Sequence, residues 1–212
     1  MNHLAKTLLA VALLLGPLAR AEYVHFEGRW HLKPGTTNDV VPADRRPVGL
    51  LAFNHASKPA AGGDEGRAIK EWSVIGEANT GTEAEAVSIL ERARLHAARH
   101  EFETATELID DLYARHSSFA NFGEAVKLQF EIANRLAAGE RRKLGGWFPW
   151  FRDPQGAVAL WQKTLRLAPN GPYADECLIR TARLGLEGGN DAKTIEALER
   201  LVSDYPTSKI AA

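Results

Sequence analysis

The sequence predicts an all-α fold, an α-solenoid of antiparallel helix pairs over residues 83–212. Apolar residues recur there at three- and four-residue spacing through six successive segments, as in helices that are packed on one side. Only short polar gaps separate most of these segments, which favours antiparallel neighbours. The second helices of the pairs also share one pattern of small, large and helix-ending residues.

Residues 1–21 are typical of a cleavable secretory signal peptide. Their apolar run, 7–15, is shorter than the roughly 20 residues that a membrane-spanning helix needs. Small residues occupy the two positions that a signal peptidase recognises, which predicts cleavage after Ala21 rather than a buried or membrane-anchoring helix. The only cysteine is Cys177, so no lipid-attachment cysteine follows the cleavage site. The chain is therefore expected to be exported, without a lipid anchor and without a transmembrane span.

Residues 22–82 are predicted to form a disordered N-terminal segment, or flexible linker. Much of this stretch is rich in Pro, Gly, Ala, Asn and Asp, and no apolar period runs through it. The apolar patch Val48–Phe53 is the exception, and it fits either a short strand or a segment that docks on another surface.

Six helices are predicted after the linker, at about 84–99, 101–116, 118–138, 154–168, 173–187 and 190–205. In the second helix of each pair, a small residue is followed four positions later by a large apolar one, and the helix ends twelve positions after the small residue. The three sets are Ala105–Ile109–Leu112–Ser117, Ala157–Trp161–Thr164–Pro169 and Thr194–Leu198–Leu201–Pro206. A small residue allows close approach of two helices, and proline ends a helix because it lacks a backbone N–H.

The spacing of these sets is close to that of tetratricopeptide repeats. The small residues lie 52 and then 37 residues apart, whereas a tetratricopeptide unit has about 34 residues. The longer first interval predicts an insertion in the second unit, and residues 139–153 are where it lies.

Five stretches of the sequence carry motifs that the helical periodicity alone does not explain. They are Phe26–Trp30, Phe130–Gly139, Lys143–Phe151, Ala168–Ala174 and Ala197–Ser208 with its Tyr-Pro-Thr-Ser ending. Together they resemble the BamD/YfiO-like family of outer-membrane assembly lipoproteins, which are of the tetratricopeptide-repeat type. The resemblance covers 83–212 and implies an α-solenoid on the periplasmic face of the outer membrane, where family members help to insert β-barrel proteins.

Two departures from the family pattern affect these expectations. The missing lipid-attachment cysteine leaves at most a peripheral contact with the membrane. The sequence also stops at Ala212, where a further helix is expected, and an uncapped repeat end exposes its apolar face. A truncated sequence or a missing capping repeat is therefore expected.

The resemblance implies a protein-binding scaffold without catalysis, whose partners are barrel-assembly subunits or unfolded outer-membrane proteins. The alternative is a periplasmic tetratricopeptide adaptor for peptidoglycan synthesis or cell-division proteins, which share the Tyr-Pro-x-Ser endings. Such adaptors often carry an upstream coiled coil, and residues 22–82 show no heptads. A net charge of −1 gives no electrostatic support for binding nucleic acid.

Two sets of residues are candidates for partner binding. The insertion holds four aromatic residues around a proline: Trp147, Phe148, Pro149, Trp150 and Phe151. They fit an anchor for a partner or for the membrane interface, or else a loop that folds back to fill a gap between repeats. The second set lies on the first helices of the pairs, which line the concave groove of such stacks: Arg94, Gln129, Asn134, Arg180 and Arg183.

No catalytic residue and no cofactor site is predicted. The sequence contains no nucleophile elbow, no phosphate-binding loop and no motif that places two carboxylates together. His96 and His100 lie four residues apart on one helical face, but further ligands are missing nearby, so no metal site is predicted. Cys177 is expected to be a small buried apolar residue.

Overall fold

A computed structural model of the chain describes residues 23–26, 29–32, 46–119, 121–140, 142–144, 148–151 and 154–210, with side-chain environments for 53–119, 121–140 and 154–210. The helices of this part are α1 Arg46–Ala61, α2 Glu65–Ala78, α3 Glu83–Ala98, α4 Phe102–Arg115, α5 Phe122–Ala137, α6 Pro154–Leu167, α7 Ala174–Glu187 and α8 Asp191–Asp204. Two short antiparallel hairpins accompany them, β1 Tyr23–Phe26 with β2 Arg29–Leu32, and β3 Arg142–Leu144 with β4 Phe148–Phe151.

The predicted all-α fold class is confirmed, with helices packed in consecutive pairs. The six predicted helices correspond to α3–α8, and every helix end lies within four residues of its expected place. Local signals set these ends. Asn190 accepts a hydrogen bond from the backbone N–H of Lys193 at the start of α8, and Gly189 after α7 has φ 68°, which glycine adopts without steric cost.

The prediction of a disordered linker over residues 22–82 is wrong for the residues that form the β1–β2 hairpin and the helices α1 and α2. Pro47 stands in the first turn of α1, where its missing N–H breaks no helical hydrogen bond, and Pro59 stands in the last turn. Trp72 of α2 is buried and its ring centroid lies 5.3 Å from that of Phe53. The apolar patch Val48–Phe53 accordingly belongs to a helix and not to a strand.

The chain divides into two compact units, residues 1–99 with 103–123, and residues 100–102 with 124–212. In the first unit α2 packs between α1 and α3. Ser88 of α3 donates its hydroxyl to the backbone oxygen of Trp72. A Cβ atom at Gly76 would lie only 2.8 Å from the Ser88 hydroxyl oxygen, so the missing side chain allows this close approach.

A buried carboxylate joins α3 to the end of α4 in the same unit. Glu85 is only 6% exposed. Its Oε2 accepts from the backbone N–H of Gly81 over 2.6 Å, and its Oε1 accepts from Arg115 over 2.5 Å. The Nε2 atom of His116 lies 3.2 Å from the same Oε2. Burial of this charge is tolerated because several donors surround it.

Replacing Glu85 with alanine is expected to lower the free energy of unfolding by about 2 kcal/mol, because buried donors lose their acceptor. Urea unfolding followed by circular dichroism measures the loss. Asp111→Ala is the matched control, since it removes the other carboxylate that binds Arg115 but from a half-exposed pair. That control should cost about 0.5 kcal/mol or less. Equal losses in the two variants would mean that Glu85 does not join the helices.

In the second unit, side-chain hydrogen bonds join α5 to α6. The helices α6, α7 and α8 share a hydrophobic core. Leu165, Ala174, Leu178 and Leu201 form this core, with Ile179 and Tyr205 packed against it. The Tyr205 hydroxyl also donates to the backbone oxygen of Pro169 over 2.6 Å. Because Tyr205 closes α8 and Pro169 follows α6, this hydrogen bond joins the ends of the two predicted second helices.

The contact between α7 and α8 explains why Thr194 can stand at the position where the other two repeat units have alanine. A Cβ atom at Gly185 of α7 would lie 2.6 Å from the Thr194 hydroxyl oxygen. The Thr194 hydroxyl is hydrogen-bonded to the backbone oxygens of Asn190, over 3.0 Å, and Ala182, over 3.3 Å. Because Gly185 on α7 has no side chain, there is room on α8 for a residue larger than alanine at position 194.

Candidate functional site

An aromatic and cationic surface lies where α5 and α7 meet in the second unit. The rings of Phe130 and Tyr173 stack with centroids 4.7 Å apart and an interplanar angle of 18°. The guanidinium carbon of Arg180 lies 5.6 Å from the centroid of Phe130, within cation–π range. We call Phe130, Tyr173, Glu176, Arg180 and Arg183 the α5–α7 face.

Arg180 is held in place by Glu176. Its Nε donates to Glu176 Oε1 over 3.0 Å, and a terminal nitrogen of the same guanidinium donates to that oxygen over 2.5 Å. Both side chains are about one-third exposed, so the pair adds little stability. Its effect is geometric: the guanidinium plane stays near the Phe130 ring.

Arg183 lies almost one turn after Arg180 on α7 and is exposed. The α5–α7 face therefore presents two cations and the partly exposed ring of Tyr173, which stacks on the buried ring of Phe130. Aromatic side chains and arginine are the residue types that contribute most to protein–protein binding, because they combine a large contact area with directional hydrogen bonds.

Asn134 and Gln129 face α6 instead of open solvent. Asn134 Oδ1 accepts from the indole N–H of Trp161 over 3.0 Å. Gln129 is fully buried, and its amide nitrogen donates to the Thr164 hydroxyl over 3.0 Å. The expectation that Gln129 lines a partner groove is therefore wrong. Gln129 lies next to the apolar stripe of α5, so its side chain faces α6 and belongs to the contact between these two helices.

Arg94, the remaining candidate from the first helices, belongs to the first unit. It donates to Glu91 over 2.6 Å, and about a quarter of its side chain is exposed. The α5–α7 face belongs to the second unit, so Arg94 is not counted among its residues.

The aromatic insertion is described only in its backbone. Phe148, Pro149, Trp150 and Phe151 form β4, in which Phe148 pairs with Leu144 of β3. Trp147 lies outside the described residues, as do the side chains of β4. Both interpretations of the insertion, a partner anchor and a loop that fills a gap between repeats, stay predictions.

A polar cluster beside the insertion was not found from the sequence. Arg135 donates to Glu140 Oε2 over 2.7 Å, and its guanidinium lies 4.6 Å from the centroid of the Phe102 ring. His100 Nδ1 lies 3.4 Å from the same carboxylate oxygen. His100 also has φ 61°, a left-handed conformation that is uncommon outside glycine. Its place two residues after the end of α3, where a glycine would be usual, is the only sequence signal.

Cys177 is a buried cysteine of the second unit. Burial raises the pKa of the Cys177 thiol to about 12, and the neighbouring Glu176 charge acts in the same direction. The thiol therefore stays protonated near neutral pH and serves as a small buried residue, as expected. Within residues 53–119, 121–140 and 154–210 no three His, Cys, Asp or Glu side chains are grouped so as to hold a metal ion.

None of the helices in the described part of the chain is both long and apolar enough to cross a bilayer. A scan against protein-family models and a search of curated proteins each found no match to this chain.

Proposed function

We propose that the chain is a non-catalytic, protein-binding scaffold of the periplasm that serves the assembly of outer-membrane β-barrel proteins. The observation that carries the proposal is the contact between Phe130 and Tyr173. Each belongs to a different stretch that resembles the BamD/YfiO-like family, Phe130–Gly139 and the segment from Ala168 to Ala174. Their stacked rings bring the two stretches together at one surface.

The chemistry of this surface supports a polypeptide as the partner. Tyr173 offers the accessible part of an aromatic pair, and Arg180 and Arg183 offer guanidinium donors to backbone carbonyls and carboxylates. Unfolded barrel segments alternate apolar and polar residues. An extended segment of this kind can place an apolar side chain on the Tyr173 ring and direct its polar groups to the arginines.

Affinity capture from the native cell envelope, followed by mass spectrometry, tests the proposal. Barrel-assembly subunits or unfolded barrel proteins should be recovered with the wild-type chain. Arg183→Glu should reduce that recovery about tenfold, the effect of losing one interface cation worth about 1.4 kcal/mol. Arg183 is exposed, so the variant should keep its melting temperature.

Arg166→Glu is the matched control, because Arg166 is an exposed arginine on α6, away from the α5–α7 face. It should leave the recovery unchanged. Capture of peptidoglycan-synthesis or cell-division proteins in place of barrel-assembly proteins would overturn the proposal in favour of the adaptor function. Equal losses with both variants would show that net charge, and not the α5–α7 face, governs binding.

A further inference from the structure

Part of the α5–α7 face is a single row of side chains along α7, which we call the α7 row. Its members follow one another at spacings of three, four and three residues, so they lie on the same side of the helix: Tyr173, Glu176, Arg180 and Arg183. Both Tyr173 and Arg180 contact Phe130, so the row borders α5, the preceding first helix of the stack. The α7 row thus leads from an aromatic ring at the start of α7 to two guanidinium groups.

The two arginines of the α7 row have unused hydrogen-bond donors. Arg180 binds a single oxygen of Glu176 through Nε and one terminal nitrogen. Its other terminal nitrogen makes no hydrogen bond within the described part of the chain. The side chain of Arg183 is exposed and forms no hydrogen bond or ion pair with any described residue, although Glu187 stands one turn further along α7. With two arginines and one glutamate, the row is positively charged and can bind a carboxylate.

The length of the α7 row suits an extended polypeptide. Residues of a helix rise about 1.5 Å each, so the point midway between Arg180 and Arg183 lies about 13 Å from Tyr173 along α7. An extended chain advances about 3.3 Å per residue and covers this distance in about four residues. Side chains four residues apart also point to the same side of an extended strand. One segment can therefore place an apolar side chain on Tyr173 and an acidic side chain at the arginines.

We infer that the α5–α7 face selects extended segments in which an aspartate or glutamate stands four residues from an apolar residue. The apolar side chain packs on the ring of Tyr173, and the carboxylate accepts hydrogen bonds from Arg180 and Arg183. This inference rests on the proposed function, because it names the class of segment that the same face recognises.

Glu176 lowers the affinity of the face for such a segment. Its carboxylate already binds Arg180, and its negative charge repels a second carboxylate at the same guanidinium. The pair of Glu176 and Arg180 is about one-third exposed, so its loss costs the fold little. Removing the charge of Glu176 should therefore strengthen the binding of acidic segments without unfolding the chain.

Three synthetic peptides of about nine residues serve as probes, each with one leucine in a background of serine and threonine. In the first a glutamate stands four residues from the leucine, in the second a glutamine takes its place, and in the third the glutamate stands three residues from the leucine. Binding to the full chain is measured by fluorescence anisotropy. The first peptide should bind about tenfold more tightly than either of the others, and the difference between glutamate and glutamine should shrink as salt is added.

Three variants of the chain identify the residues responsible. Arg183→Gln should remove most of the preference for glutamate over glutamine, because one guanidinium is lost. Glu176→Gln should raise the affinity for the first peptide about threefold and leave that for the glutamine peptide unchanged, since it removes a competing charge and keeps the side-chain length. Arg166→Gln is the control, because Arg166 is an exposed arginine on α6, away from the α5–α7 face. It should change neither affinity, and all three variants should keep the melting temperature.

Equal binding of the glutamate and glutamine peptides, or a preference for glutamate that survives Arg183→Gln, would overturn the inference. The proposed function would still stand in both cases, because the face would bind extended segments without selecting their charge. Failure of all three peptides to bind would also overturn the inference. The proposed function would then be decided by the capture experiment alone, which does not depend on these peptides.

Discussion

Replacing Trp161 with alanine is expected to lower the free energy of unfolding of the second unit by about 3–5 kcal/mol. Trp161 is 2% exposed and lies on α6. Its indole N–H is the donor that fixes Asn134 of α5. A small pocket of about 20 Å³ lies beside it, lined in part by Leu165 and Leu178. Truncation would leave a space that the surrounding helices cannot close.

Urea unfolding of the full chain measures this effect, and two further variants separate its causes. Trp161→Phe retains most of the ring and loses the N–H, and we expect a loss of about 1–2 kcal/mol. Gln162→Ala alters the exposed neighbouring residue and should change the free energy by about 0.5 kcal/mol or less. If Trp161→Ala were as mild as Gln162→Ala, the packing of α5 on α6 described above would be incorrect.

Gly185→Val is expected to lower the free energy of unfolding by about 3 kcal/mol. The position has no room for a side chain, since a Cβ atom would approach the Thr194 hydroxyl oxygen to 2.6 Å and the Asn190 backbone oxygen to 3.3 Å. Replacing glycine in a helix would otherwise gain up to about 1 kcal/mol. The expected sign is therefore the opposite of the one that helix propensity gives.

A double-mutant cycle identifies the responsible contact. Gly185→Ala alone should destabilise the unit by about 1–2 kcal/mol, and combining it with Thr194→Ala should recover part of that loss, because the obstructing hydroxyl is removed. Gly123, where a Cβ atom would meet nothing within 4 Å, supplies the control Gly123→Ala. Strictly additive effects at Gly185 and Thr194 would show that the two residues do not touch.

The sequence is sufficient to predict the helices whose signals are local. The apolar period and the glycines and prolines at helix ends locate α3–α8, because each of these signals acts within a few residues. The same signals misled the prediction for α1 and α2. Pro47 and Pro59 resemble loop residues by composition, although both stand in terminal turns, where proline does little harm.

The candidate site could be predicted only in part, because it depends on which helix faces meet. Arg180 and Arg183 were found from their place on a first helix. The stacking of Phe130 on Tyr173 joins residues far apart in the sequence and requires the register between α5 and α7. Gln129 is an example of the opposite kind. Its polar side chain suggests exposure to solvent, and only the packing of α5 against α6 shows that it is buried.

Site-specific photocrosslinking in living cells tests the scaffold account most directly. A photoreactive residue replaces Arg183 on the α5–α7 face, or Arg166 on α6 as the control. The account predicts that position 183 crosslinks to a barrel-assembly subunit or an unfolded outer-membrane protein and that position 166 does not. No crosslink from position 183, or a crosslink from it to a peptidoglycan-synthesis or cell-division protein, would contradict the account.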